Sequence, residues 1–567
     1  MKTTVIENKL EGLFFYGNDS PEREKCCMFS KYVRDLKEEF AGYHAREFAK
    51  DMMAGLTVAA VALPLALAFG VSSGATAASG LLTAIIGGFV ICLLGGAFYQ
   101  ISGPTGAMAA ILMSIVAQYG MSGVFEATLM AGILLVIAGI FHLGRLTAFI
   151  PMPVITGFTS GISVIIALGQ LDHFFGVSSE GGSAVEKVIS YFASGFSPDW
   201  ITVLIGTLVI LFMVFYPKKW NNIVPASLLA IILATAASVF FSLDVETVGA
   251  IPTTLLLEDR LTFSGLRLSE MRNLFIPAVS IATLGMVESL LCGASAGRMT
   301  GVPLDNDREL VAQGIGNILV PFFGGIPATA AIARTSVAIK SGAKTRVAGL
   351  VHAVGLLISM LLLAPVMARI PLSALAGVLM VTAWRMNEWD TIRYLFSRKF
   401  KGAILKFSVT MLATVLFDLT VAIVIGVVIA FILLAARQSN LEIHYDEVHA
   451  SRMHRPQDML EERSENAAVA YISGAILFSN VQMLEEMKNR LEPYETVFLS
   501  MRGVSYLDIS GAQALLEMLR QLRASEKQIF ICGLSESVEQ MMIRSGIMEY
   551  VGEDHFYWSV EKALIGA

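Results

Sequence analysis

The chain has 567 residues, 55% of them hydrophobic and only 16% charged, with a formal net charge of −6. Charged residues approach a quarter of an ordinary soluble chain, so this composition excludes a soluble globular protein and indicates a polytopic membrane protein. Five cysteines (Cys26, Cys27, Cys92, Cys292 and Cys532) show neither a disulfide pattern nor metal-ligand spacing and read as reduced thiols.

Residues 1–50 form a polar arm. Glu22, Arg23, Glu24, Lys25, Arg34, Lys37, Glu38 and Glu39 stand where a secretory signal would need an apolar core, so the amino terminus is expected in the cytoplasm. From Phe29 to Lys50 apolar residues recur at helical spacing, which predicts an interfacial helix. Fourteen apolar segments follow, at about 52–71, 78–96, 103–118, 124–142, 151–171, 199–216, 222–241, 274–294, 309–323, 328–340, 347–368, 372–386, 403–417 and 419–436. Several are too short to cross ~30 Å of hydrocarbon as simple helices. With the amino terminus inside, Lys218, Lys219, Lys340, Lys344, Arg346, Arg385, Arg398, Lys399, Lys401 and Arg437 fall on the cytoplasmic side, as the positive-inside rule prefers. The long outer loops then carry Asp172, Glu180, Glu186, Asp244, Glu246, Glu258 and Asp259, with Arg260, Arg267, Arg272 and Arg369 as exceptions.

The most informative stretch is Gly324-Gly325-Ile326-Pro327-Ala328-Thr329-Ala330-Ala331-Ile332-Ala333-Arg334. Two glycines and a proline interrupt a membrane segment, and broken backbone at that depth is tolerated only where it is buried in protein or lines a cavity. A helix that restarts there points unpaired N–H groups into the cavity and carries about half a positive charge. Arg334 adds a full one, so an anion is the expected guest. A snorkelling arginine near Lys340 is the alternative reading. Gly103-Pro104-Thr105-Gly106-Ala107 repeats the pattern in the first half, and each break is followed at a similar distance by Ile-Pro, at Ile150-Pro151 and Ile370-Pro371. Seven segments per half is an odd number, so the second copy is inverted and the two half-helices aim at one point. Thr105 and Thr329 are candidate hydroxyl donors at the helix ends, and Phe69 is a candidate wall.

Glu288 lies mid-segment with no cation near it in sequence. A carboxylate near the bilayer centre costs at least ~2.5 kcal/mol and is a functional candidate by default. Burial favours the neutral acid, so Glu288 is a candidate proton carrier; structural hydrogen bonding to a neighbouring helix is the alternative. No nucleotide fingerprint, zinc spacing or nucleophile elbow is present. No enzymatic activity, cofactor, metal or nucleic-acid partner is expected.

After Arg437 the composition becomes that of a small α/β module. Residues 440–465 read as a connecting strand and linker, and strands are predicted at 467–473, 497–501 and 528–532 with helices between and after them. In Tyr506-Leu507-Asp508-Ile509-Ser510-Gly511 a strand ends and a helix opens, so Asp508 or Ser510 is the expected cap. Phosphorylation of Ser510 is the functional alternative.

Asp51-Met52-Met53-Ala54-Gly55-Leu56-Thr57 with Pro64, Gly103-Pro104-Thr105, Gly285-Met286-Val287-Glu288-Ser289-Leu290-Leu291, and Gly325-Ile326-Pro327-Ala328-Thr329 with Ala333-Arg334-Thr335 resemble the sulfate permease (SulP, solute carrier 26) anion transporters. The terminal module is similar to STAS domains, whose Asp-x-Ser-Gly turn is the phosphorylation motif of anti-sigma-factor antagonists; here it would be regulatory, through Asp508 and Ser510. The resemblance implies a 7+7 inverted repeat of 14 transmembrane segments, split into a core (segments 1–4 and 8–11) and a gate (5–7 and 12–14), plus a C-terminal α/β STAS domain. The implied division is an arm at 1–50, a transmembrane anion transport domain at 51–436, a linker at 437–466 and a STAS domain at 467–567.

Carried over by position, the anion would be bound by Phe69, Thr105, Gly106, Ala107, Thr329, Ala331, Ala333 and Arg334, with Glu288 as the coupling-ion residue. Sodium-coupled members show aspartate and, four residues later, threonine where this chain has Glu288 and Cys292. A thiol is a poor ligand for a hard cation, which favours a coupling proton over sodium. The expected function is secondary active transport of a small anion (sulfate, bicarbonate or a C4-dicarboxylate) across the inner membrane by an elevator-like, proton-coupled homodimer, with a cytoplasmic protein partner for the STAS domain. The alternatives are an uncoupled anion channel or exchanger, a STAS-coupled sensor and, last because of Arg334 and the STAS tail, a nucleobase-cation symporter of the same fold.

Overall fold

The computed structural model describes residues 27–145, 150–179, 184–194, 196–217, 220, 224–263, 271–417, 419–447 and 466–565. Residues 1–26 and 448–465, and with them the expectations placed on Cys26, Glu180, Lys218, Lys219 and Arg267, lie outside that set. The chain divides into two compact units, Met1–Val427 and Val428–Ala567.

In the first unit α1 (Cys27–Glu39) precedes α2 (Ala45–Ser72). The single interfacial helix expected over 29–50 is therefore two pieces: Gly42 turns the chain at φ +72, and residues 45–50 already belong to the first span. The Asp51 carboxylate explains where that span begins. It is fully buried, accepts from the backbone N–H of Lys344 (2.6 Å) and from the Thr345 and Tyr43 hydroxyls (2.6 and 2.8 Å), and so ties the entry of α2 to the turn before a distant helix. α1 is fastened beside it by two buried arginines, Arg308 to Asp35 (2.6 Å) and Arg346 to Glu39 (2.7 Å).

The second span is α3 (Ala77–Leu82), a wide turn at Thr83–Gly87 and α4 (Gly88–Leu94). After β1 (Ser102–Gly103) comes α5 (Gly106–Ile140), which holds two of the expected segments in one run. Gly120, at φ +67, is the break between them, a backbone conformation that side chains with a Cβ rarely adopt. There follow α6 (Met152–Gly169), α7 (Leu171–Phe175), α8 (Ala184–Ser194), α9 (Trp200–Phe215) and α10 (Ala226–Phe240). The second half contains α11 (Met271–Thr300), α12 (Asn306–Leu319), β2 (Thr329–Ala330), α13 (Ile332–Lys340), α14 (Val347–Met367), α15 (Leu372–Met386), α16 (Trp389–Ser397), α17 (Lys401–Leu416) and α18 (Leu419–Gln438). Among the described residues six of these runs are long and apolar enough to cross a membrane by themselves, and Trp200–Phe215, Ala226–Phe240, Leu372–Met386 and Val424–Ala436 are shorter apolar helices. All fourteen expected segments fall on the runs above.

Packing is densest within two sets of helices. α2 lies on α14, and α5 on both α11 and α12; in the other set α6 lies on α17 and α15, and α9 on α15, and the sets meet where α5 lies on α6 and α2 on α15 and α10. Small residues permit the closest approaches: a Cβ on Gly132 of α5 would stand 2.7 Å from the Gly314 carbonyl of α12.

The second unit is a five-stranded sheet in the order β3-β4-β5-β6-β7, with β3 (Glu442–Glu447) antiparallel to β4 (Ala467–Ile476) and β5 (Thr496–Leu507), β6 (Gln528–Cys532) and β7 (Phe556–Tyr557) parallel. Alternation at period two puts Ala468, Ala470, Val497, Leu499 and Ile531 on one face, under α19 (Gln482–Leu491), α20 (Ile509–Ala524) and α21 (Glu536–Arg544). Ala467, Val469, Phe498 and Phe530 face α23 (Val560–Ile565), beyond the short α22 (Ile547–Val551). The segment read as a connecting strand joins this sheet at its edge, where charged residues suit a strand with one unpaired side. β5 outruns its expected end at Met501 because Gly503 packs onto the β4 backbone, where a Cβ would stand 2.7 Å from the Ile472 carbonyl.

Asp508 caps α20: its carboxylate accepts from the Gly511 N–H (2.6 Å) and also from the Phe478 N–H (2.9 Å), while Ser510 is exposed. Asp508→Ala is expected to destabilise this unit by about 1–2 kcal/mol, read as a lower midpoint of its transition when the full chain is unfolded thermally; Asp508→Asn, which keeps an acceptor, should recover most of the loss.

Candidate anion site

α4 ends at Leu94, and the chain returns through β1 to start α5; in the second half Gly324 turns the chain at φ +85, and β2 leads into α13. The two strands pair antiparallel, Ser102 opposite Ala330 and Gly103 opposite Thr329, and the Ala331 N–H donates to the Ile101 carbonyl at 2.9 Å. Antiparallel pairing is what equivalent strands of an inverted repeat give when they meet. Each strand passes at once into a helix start, so two sets of unpaired N–H groups lie side by side. Thr105 is the extended residue that opens α5, and Ala331 the one that opens α13.

Helix α11 buttresses both lead-ins. The Thr105 hydroxyl donates to Glu288 Oε2 at 2.9 Å, and its oxygen also accepts from the Met108 N–H at 3.4 Å. The next residue, Ser289, serves the other half: its hydroxyl is 3.0 Å from Thr329 Oγ1 and accepts from the Ala330 N–H at 3.3 Å. Thr329 is fully buried and its hydroxyl also lies 3.5 Å from the Gly285 carbonyl, so it braces the lead-in from behind.

Arg334 sits in the first turn of α13, 1% exposed. Its guanidinium crosses to the other half, where Nη2 donates to the Pro104 carbonyl, while Nη1 has no hydrogen-bond partner among the described residues. A Cβ on Gly103 would lie 2.5 Å from Nη1, which is why glycine precedes Pro104. The arginine of one repeat thus fills the space left by the glycine of the other.

On the remaining side Phe69 of α2 and Ile166 of α6 close over Gly106, whose added Cβ would meet the Ile166 side chain and stand 3.1 Å from Phe69 Cε1. Phe69, Ala107 and Ala331 are buried, Glu288 is half-buried and Ala333 is exposed. Phe69, Thr105, Gly106, Glu288, Thr329 and Arg334 therefore converge, and Ala333 stands at the margin. Two half-positive helix ends and Arg334 outweigh a single carboxyl, and the excess is greatest when Glu288 is neutral.

Ser289, Thr335 and Ile166 were not among the expected site residues. Thr335 accepts from the Ile101 N–H (3.0 Å) and lies 3.4 Å from the Cys292 thiol. Ser289 and Thr335 were legible as polar neighbours of Glu288 and Arg334. Ile166, an apolar residue in an apolar helix, gives no such signal. Among the described residues no group of three or more His, Cys, Asp and Glu is placed to hold a metal ion. A separate cavity of about 670 Å³ is lined by Val71, Ser72 and Met113 on one side and by Gly169, Asp172, Lys187 and Glu246 on the other.

The model of the Sulfate permease family matches residues 48–410 and that of the STAS domain residues 459–563. The "Putative sulfate transporter YvdB" of Bacillus subtilis (strain 168) is 35% identical over 537 residues, 91% of this chain and 97% of that protein. The bicarbonate transporter BicA of Picosynechococcus sp. (strain ATCC 27264 / PCC 7002 / PR-6) is 30% identical over 547 residues, 92% of this chain and 95% of that one. The solved structure of the murine Slc26a9 anion transporter in the inward-facing state has the same fold, with a TM-score of 0.82 at 17% identity, covering 99% of this chain and 97% of its own.

Proposed function

This chain belongs to the sulfate permease family of multi-pass membrane transporters, and we propose that it carries a small oxyanion, sulfate or bicarbonate, across the inner membrane together with a proton. The relatives are named for sulfate and for bicarbonate, and the site's chemistry is common to both: backbone amides and one guanidinium attract negative charge without reading a particular side group. The observation that carries the reading is the antiparallel meeting of Ser102-Gly103 with Thr329-Ala330 at the start of two half-helices, with Arg334 against Pro104 and Glu288 against Thr105. In this reading the anion lies between the amino ends of α5 and α13, bounded by Phe69 and Ile166. A proton on Glu288 removes the carboxylate charge that would oppose the anion, so that α2–α5 with α11–α14 moves as a loaded body against α6–α10 with α15–α18. The protein works as a homodimer, with the amino terminus and the STAS domain in the cytoplasm. A C4-dicarboxylate fits the same charge logic and belongs in the test.

Purified protein in liposomes, given labelled sulfate, bicarbonate, fumarate or chloride under imposed proton or sodium gradients, is expected to accumulate at least one oxyanion when the proton gradient points inward and to ignore sodium. Flux that never exceeds equilibration would replace the coupled carrier by a channel or exchanger.

A further inference from the structure

Helix α12 is buried between α5 and α4, yet four of its residues are polar and inaccessible: Arg308, Glu309, Gln313 and Asn317. Arg308 is accounted for by Asp35 of α1. The other three face the lead-ins of the anion site. The Gln313 amide donates both hydrogens, to Ser102 Oγ of β1 and to Glu309 Oε1, each at 2.9 Å, and Glu309 in turn accepts from the Gly96 N–H at 2.9 Å. One turn further on, Asn317 grips the residue before β2 with both ends of its amide: Oδ1 accepts from the Ala328 N–H at 2.7 Å, and Nδ2 donates to the Ala328 carbonyl at 2.9 Å. Asn317 Nδ2 also donates to the Gln313 carbonyl at 2.9 Å.

Residues four apart lie on one face of a helix, about one turn from each other. Here that face holds one strand of the crossing with each side chain. β1 and β2 are two residues long and carry few ladder bonds of their own, so their register depends on what grips them from behind.

We propose that Gln313 and Asn317 are positioning residues that fix the spacing between the amino ends of α5 and α13, and through it the size of anion the site accepts. Neither side chain touches the anion. Gln313 holds Ser102, three residues before the Thr105 cap, and Asn317 holds Ala328, three residues before the Ala331 cap. The fixed turn between them on α12 sets the distance between the two caps. The Thr83 hydroxyl supports the same lead-in, accepting from the Ile326 N–H and donating to its carbonyl, at 2.7 and 2.8 Å. This inference rests on the anion reading above.

The test uses the full chain in liposomes, with labelled sulfate and bicarbonate as probes and KM and maximal rate measured for each. Ser102→Ala removes the strand-side partner of Gln313 while leaving α12 untouched; Gln313→Met removes the grip with little change of volume; Asn317→Leu does the same for the second strand. Each is expected to raise KM by roughly tenfold or more, tenfold being about the worth of a single buried hydrogen bond left unmade, and to change the sulfate-to-bicarbonate KM ratio at least threefold. The Ser102→Ala and Gln313→Met effects should be non-additive, because both break the Ser102–Gln313 bond; Gln313→Met, which also loses the bond to Glu309, should have the larger effect. Loss of rate with an unchanged KM ratio in all three variants would assign these residues to packing alone and overturn the proposal. If either α12 variant fails to fold, Ser102→Ala decides through the ratio. A wild-type protein that transports none of sulfate, bicarbonate and fumarate would refute the anion reading itself, which is a different result from an unchanged ratio.

Discussion

Glu288→Gln is expected to abolish accumulation driven by a pH gradient while sparing exchange of anion for anion across the membrane. The substitution keeps the shape of the side chain and an oxygen to accept the Thr105 hydroxyl, which in the native chain reaches Glu288 Oε2 at 2.9 Å. What it removes is the ability to gain and lose a proton. With Glu288 ionised, one more negative charge than with the neutral acid would have to travel with the anion, at a cost of ~2.5 kcal/mol or more at membrane depth. Glutamine holds the side chain permanently in the neutral arrangement, so the loaded core still moves while the empty core carries Arg334 with no counter-charge; exchange of anion for anion survives, and the link between the two gradients is lost. For one proton per univalent anion, each unit of pH difference supports about a tenfold accumulation, and the variant should fall to a ratio of one. Uptake that still follows the proton gradient in this variant would show that the coupling proton sits elsewhere. Glu288→Ala is the control for geometry: it leaves the Thr105 hydroxyl unpaired and should weaken anion binding as well.

The broad plan was legible because a bilayer restricts what a sequence can mean. Apolar runs have to be helices, and Gly103-Pro104 and Gly324-Gly325 could not sit inside unbroken ones, so their meeting was foreseeable from the repeat alone. The antiparallel register of Ser102 with Ala330 and of Gly103 with Thr329 bears out the inverted arrangement. Details that depend on contact across the fold were not legible. The segments 103–118 and 124–142 leave a gap that contains Gly120, so the division was legible; that the two spans remain one helical run across it was not. The arm looked like a single interfacial helix because 29–50 keeps one apolar period; its break is stabilised by Asp51 reaching Lys344 and Thr345, almost three hundred residues away. Gln313 and Asn317 were visible as polar residues four apart in an apolar segment, but only the closeness of β1 and β2 gives them something to hold. The direction of Arg334 was also hidden: sequence gives its charge and depth, while its turn toward Pro104 follows from the missing side chain at Gly103.

Arg334→Ala should weaken anion binding more than any other single change at the site. The residue combines two effects that can be separated. As a charge, at roughly 8 Å from a univalent anion and an effective dielectric near 20, it contributes about 2 kcal/mol, or about thirtyfold in affinity, and more for a dianion. As a packed group it fills the space over Gly103 and holds the Pro104 carbonyl, so its loss also loosens the turn that presents the amino end of α5. Arg334→Lys keeps the charge without the planar fork, and Arg334→Gln keeps a donor without the charge. If the field dominates, affinity for labelled anion falls in the order Arg, Lys, Gln, Ala, with the larger gap between Lys and Gln, and the losses are steeper for sulfate than for bicarbonate. If bracing dominates, Lys and Gln fall together and both anions suffer alike. Equal affinity in Arg334→Ala and wild type would remove Arg334 from the site and leave the helix ends alone to hold the anion, an arrangement whose partial charges sum to no more than about one unit. Because the guanidinium is buried and its Nη1 has no other partner among the described residues, the expectation is the first pattern: a charge kept in a low dielectric with one donor unspent is most effective against a counter-charge that arrives from outside.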